Sequence, residues 1–155
     1  GPGRPLNLWE LTAEGHSHFH DGSGSFAVDL LGLIETSMPD GSVASLLDEQ
    51  SIEKANHYRK EVGDGALTDR LNKLVELRCK EGYLAECEEA PDGKGWFIRQ
   101  FHCSIKGIAE AYPIVCDHEL EMIRYTFPDC VVERVQWRLE EGHSCGFLVS
   151  LASND

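Results

Sequence analysis

The sequence predicts an α+β domain: leading amphipathic helices followed by a four-stranded antiparallel sheet, with a helical connection between its two hairpins. Three observations carry this. Apolar residues recur at three- and four-residue steps as far as Lys80, the period shortens towards two beyond Gly82, and helical spacing returns between Ser104 and Phe127. The first predicted helix begins at Phe26, sets Phe26, Leu30, Leu33 and Ile34 on one face, and breaks at Met38-Pro39-Asp40-Gly41, since proline cannot continue a helix. The second runs from about Ser42 to Val62 and is expected to bury Val43, Leu46, Leu47 and Ala55. It stops at Gly63-Asp64-Gly65, where glycine accepts a left-handed cap. The third spans Leu67 to Lys80, with Leu67, Leu71, Leu74, Val75 and Arg78 at helical spacing and Gly82 ending the run. Strands Tyr83 to Ala90 and Trp96 to His102 flank Pro91-Asp92-Gly93-Lys94-Gly95, the composition of a hairpin turn. The stretch Ser104 to Phe127 is interrupted at Pro113 and reads as two shorter helices. Pro128-Asp129 turns the chain into a strand from Val131 to Leu139, and Glu140-Glu141-Gly142 leads to the last strand, Cys145 to Leu151.

The length of 155 residues fits one domain, the usual size being ~100 to 200 residues. With 41% hydrophobic and 26% charged residues the composition is that of a folded globular chain. No apolar run reaches the ~18 residues of a spanning helix, and the start lacks a signal peptide's basic and apolar regions. The expected location is the cytoplasm, with no membrane partner. The formal net charge is −13, from 27 acidic against 14 basic side chains, and such a surface repels phosphate, so this chain by itself is a poor nucleic-acid binder. Gly1 and Pro2 read as the remnant of a cleaved tag. Residues 1–25 as a whole read as that remnant, the end of an upstream element and a linker in which His16, His18 and His20 stand among Gly, Ser and Asp. Residues 26–155 form the folded domain. No enzyme is expected: there is no glycine-rich phosphate loop, no H-E-x-x-H and no G-x-S-x-G. His102 and Cys103 are neighbours on a strand and would point to opposite faces, so they make no dyad. The acidic pairs Glu88-Glu89, Glu119 with Glu121, and Glu140-Glu141 read as solvated faces.

Six cysteines in a chain expected to be cytoplasmic point to thiols, metal ligands or redox centres rather than structural disulfides. Cys103, Cys116, Cys130 and Cys145 are spaced C-x12-C-x13-C-x14-C, too open for a zinc knuckle, whose ligands come in close pairs. Each falls instead at a junction between predicted elements, where strand ends distant in sequence can converge. The bland alternative is that free cysteines are small buried hydrophobes. It weakens for four at boundaries, accompanied by His102, His118 and His143 within two positions. Cys79 and Cys87 fall outside the pattern and are assigned to packing.

Gly3-Arg4-Pro5, an alternating strand and Leu11-Thr12-x-x-Gly15 resemble the wing and exit segment of winged helix-turn-helix regulators. The cysteine spacing together with the strings Ala109 to Glu121, Pro128 to Arg134 and Cys145 to Leu148 resembles the C-terminal sensor region of SufR-type repressors of iron-sulfur cluster assembly genes. The resemblance implies a homodimer. It implies a 4Fe-4S cluster held by Cys103, Cys116, Cys130 and Cys145, with His118 or His143 as substitutes for Cys130. It further implies binding of operator DNA through an N-terminal winged helix-turn-helix absent from this chain, released when the cluster is lost or oxidised. On this reading the helices between Phe26 and Lys80 form part of the dimer interface and carry the signal. Two other readings compete: a non-redox zinc or iron sensor using the same cysteines, and a small-molecule sensor with a pocket lined by Trp96, Tyr112, Trp137 and Phe147.

Overall fold

The computed structural model describes residues 22–101, 106–137 and 144–153. Three helices lead, α1 (Ser23–Ser37), α2 (Ser42–Val62) and α3 (Leu67–Lys80), followed by strands β1 (Leu84–Glu89) and β2 (Trp96–Phe101). Helices α4 (Lys106–Ala111) and α5 (Ile114–Thr126) then precede β3 (Cys130–Trp137) and β4 (Ser144–Leu151). The fold is the α+β arrangement expected, and the bounds of α2 and α3 coincide with those read from the sequence. Gly41 stands before α2 with φ 85°, and Pro113 separates α4 from α5.

The four strands form one antiparallel sheet in the order β1-β2-β4-β3. Crossover α4–α5 therefore carries the chain from β2 past the place of β4, and the second hairpin inserts β4 against β2. The β1–β2 turn closes with the Ala90 amide donating to Gly95 O at 2.8 Å and the Lys94 amide donating to the Asp92 carboxylate at 2.9 Å. Gly95 admits no side chain there, because a Cβ would lie 2.9 Å from the Val149 carbonyl oxygen.

One face of the sheet meets the helices. Ile98, Val132, Phe147 and Val149 pack with Ala55 and Tyr58 of α2, Leu71 and Leu74 of α3, and Met122, Ile123 and Phe127 at α5 and its end. Through the middle of this core runs a charge. Arg78 is 2% exposed; its Nη2 donates to Glu119 Oε2 at 2.6 Å and to Gln100 Oε1 at 3.3 Å, and its Nη1 donates to Tyr58 Oη at 3.2 Å. The guanidinium lies 3.7 Å from the centre of the Tyr83 ring, a cation–π arrangement. The Tyr58 hydroxyl in turn donates to Glu81 Oε2 at 2.5 Å, and burial pushes its phenol well above the ordinary range. Glu119 is thus no solvated residue, as its acidic neighbourhood led us to expect, but the counter-charge of a buried arginine.

Two further arginines fasten the periphery. Arg70 grips Asp129 with two hydrogen bonds of 2.9 and 2.8 Å, pinning α3 to the α5–β3 turn. Arg124 on α5 donates from Nε and Nη2 to the Val132 carbonyl, both at 3.2 Å, on the edge strand β3. Two expectations of burial fail. Leu46 is 41% exposed because it lies on the side of α2 opposite Ser51, Ala55 and Tyr58. Cys79 is exposed, its thiol meeting Ala85 O at 3.4 Å, whereas Cys87 does pack against the core.

Replacing Arg78 by Ala leaves Glu119, Gln100 and Tyr58 without their shared donor and is expected to lower unfolding free energy in urea by about 3 kcal/mol. Arg78→Met combined with Glu119→Leu should recover most of that loss, because the pair is removed together. The hydrogen bonds from Arg70 hold the Asp129 carboxyl below its usual value. That contribution is present at neutral pH and is lost as pH falls through the depressed value. Thermal melts of the wild type should therefore drop more steeply than those of Asp129→Asn as pH falls below about 4.

Candidate functional site

The register decides what the junction cysteines can share. Cys130 opens β3 opposite Leu151, and Cys145 lies opposite Gln136 near the other end of the same hairpin. From Cys130 to Gln136 is six residues of strand, so the two cysteine positions are separated by roughly 20 Å at ~3.3 Å per residue. Within one chain the sheet holds these two apart, and the set of four does not fit a single cluster there. Cys116 sits in the first turn of α5, next to Asp117, whose carboxylate accepts from Arg134 at 3.0 Å. Because Arg134 pairs with Phe147, Cys116 stands towards the Cys145 end of the sheet. Cys103, like His102 and His143, lies outside the described residues.

The thiols that can be followed are quiet. Burial is the main cause raising Cys116, and burial with the Asp129 charge pushes Cys130 up to about 11. Both are therefore protonated at neutral pH and poor nucleophiles. His118 spends Nδ1 on the Ile114 carbonyl of its own helix at 2.9 Å. Among the described residues no three His, Cys, Asp or Glu side chains are grouped so as to hold a metal ion. Of the four aromatic residues expected to line a pocket, Phe147 is a core residue and Trp96 packs against that core. Tyr112 hydrogen-bonds Glu35, and the side chain of Trp137 is outside the described set.

The unusual surface is on α1. Its sequence is apolar, yet none of its residues is buried. The helix touches α2 and α4, with Gly32 turned towards the Tyr112 hydroxyl. Of the row read on one face, three members point outwards, Phe26 at 70% exposed, Leu30 at 47% and Leu33 at 61%, while Ile34 is half-buried. Positions i, i+4 and i+7 form one continuous stripe along an α-helix. Sequence periodicity identified this stripe, but which surface covers it is not encoded in the period.

Residues 22–53 carry Asp29, Glu35, Asp40, Asp48, Glu49 and Glu53 and no Lys, Arg or His. The next cation, Lys54, is occupied: its Nζ is 3.4 Å from Glu81 and 5.9 Å from the centre of the Tyr83 ring. Among the described residues no helix is long and apolar enough to cross a membrane. The α1 stripe is the candidate site, and its chemistry is that of a docking surface.

No family model and no curated protein matches the sequence. A solved structure does share the fold: subunit 3 of a trafficking protein particle complex from Naegleria fowleri, described as covalently bound to palmitic acid. It is 12% identical, with a TM-score of 0.52, covering 86% of this chain and 98% of that one. At such identity the likeness is one of fold. It overturns the reading of the chain as the sensor region of a SufR-type repressor, and with it the roles in transcriptional repression, DNA binding and iron-sulfur sensing. The physical reason is in the register: strings such as Pro128-Asp129-Cys130 mark the ends of elements in this α+β topology, and the strand pairing places two of the four cysteines far apart rather than together. What the chain has in common with a protein of known structure is the architecture of a trafficking-particle subunit.

Proposed function

We propose that this chain is an assembly subunit, whose task is to join a larger complex through the outward face of α1. One observation carries the reading: Phe26, Leu30 and Leu33 form an uninterrupted apolar row on a helix that buries no residue of its own. Taking a large apolar side chain out of water is worth about 1.5 to 3 kcal/mol. Three in a row contribute several kcal/mol towards offsetting the cost of association. The shared fold supports the reading, since the structure it matches is a subunit of a complex. The reading is of a cytoplasmic subunit, in keeping with Cys79, Cys87, Cys116 and Cys130 all being unpaired thiols.

The test is the mass at which the tagged chain elutes from an extract of its own cells. The wild type is expected to run as part of an assembly heavier than one chain. Phe26→Glu combined with Leu33→Glu should shift it to the mass of a single chain, with unchanged far-ultraviolet circular dichroism, because an exposed helix face tolerates charge without unfolding. A wild type that already elutes as a lone chain ends the proposal.

A further inference from the structure

We infer that the occupant of the α1 face is an amphipathic helix of a different protein, with Lys or Arg flanking its apolar row. The inference rests on the assembly reading and names the partner's chemistry. Two facts combine in it. The shape of the site is a stripe at helical spacing, Phe26, Leu30 and Leu33, open to solvent, which suits another helix laid alongside it with its own i, i+3, i+4 and i+7 residues.

The stretch of chain that carries the stripe, residues 22–53, has charge of one sign. Asp29, three residues after Phe26 and one before Leu30, lies on its flank and is exposed. The α1–α2 turn and the first half of α2 add Asp40, Asp48, Glu49 and Glu53, with no cation before Lys54. Glu35 is the exception, spent on the Tyr112 hydroxyl. A second copy laid α1 against α1 would bring Asp29 and its neighbours against the same carboxylates in a chain of net charge −13, and like charges across an interface disfavour that partner. A helix with basic flanks meets the apolar row and the Asp29 carboxylate beside it together. Opposite potentials of this kind steer encounter and select the partner.

The test uses the purified full chain and three labelled peptides of ~18 residues, five helical turns. One has a leucine stripe flanked by lysines, its twin has glutamates in place of the lysines, and the third is a scramble of the basic peptide with the same charge. Fluorescence anisotropy at low salt should show the basic helix binding at least tenfold tighter than both others. Raising the salt should close the gap to the acidic twin, as screening requires. Phe26→Ala should weaken the basic peptide about tenfold or more, as loss of an interface anchor does. Asp29→Asn should weaken it by a smaller factor and flatten the salt dependence.

Equal binding of the scramble would mean general attraction to an acidic chain and would overturn the inference, as would equal binding of the acidic twin or no binding at all. Light scattering of the purified chain is the second arm. A dimer that Phe26→Ala dissociates would assign the face to a second copy, refuting the basic partner while leaving the assembly reading intact. Only the lone-chain result in the cell extract removes that reading as well.

Discussion

The guanidinium of Arg78 is the point through which the layers of this fold are tied. It belongs to α3, but its hydrogen bonds end on α2 at Tyr58, on β2 at Gln100 and on α5 at Glu119. A buried charge is tolerated only when its partners are fixed in place, so the position of each of those elements is constrained by the same group. The apolar core around it supplies the bulk of the burial, with Leu71, Leu74, Ile98, Ile123 and Phe127 filling the space between helices and sheet. Burial is non-directional. The arginine adds direction, because its planar fork accepts carboxylate and amide oxygens only at set angles.

α1 stands outside this arrangement. It contributes nothing to the buried cluster and meets the rest of the chain at α2 and α4, so its conformation is not what holds the domain together. A helix with that freedom from the core can present three large apolar groups to a partner without weakening the fold beneath it. The separation of tasks is physical: α2, α3, α5 and the sheet provide a platform, and α1 provides the surface. On the assembly reading, the acidic run that includes both helices bears on the choice of partner.

Much of the fold was legible because its boundaries are written in residues with strong backbone preferences. Pro39 to Gly41, Gly63, Pro91 to Gly95 and Pro113 each stand at a junction that the structure keeps, and the change of apolar period after Gly82 marks where helices give way to strands. The site was less legible. Periodicity shows that Phe26, Leu30 and Leu33 share a face but not whether the chain covers it, and in Leu46 the same ambiguity produced an expected core residue that is exposed. Glu119 looked solvated because its partner Arg78 is distant along the chain and adjacent only after α3 and α5 pack. Spacing along the chain places Cys130 and Cys145 at comparable junctions, whereas strand register, a long-range property, sets them at opposite ends of one hairpin.

The grip of Arg124 on the Val132 carbonyl has a consequence for how chains of this kind can stack. β3 is an outer strand of the sheet, and an outer strand with bare carbonyls and amides is a template on which another strand can grow. By filling Val132 O with its own side chain, the protein spoils that template near the start of the strand. On the opposite rim, β1 carries Glu86 and Glu88, both paired with Arg99 of β2, and Glu89, whose charge discourages the same event. Growth by open-ended strand addition, the route to fibres, is thereby hindered at both rims of the sheet, which leaves association to surfaces away from the strand edges.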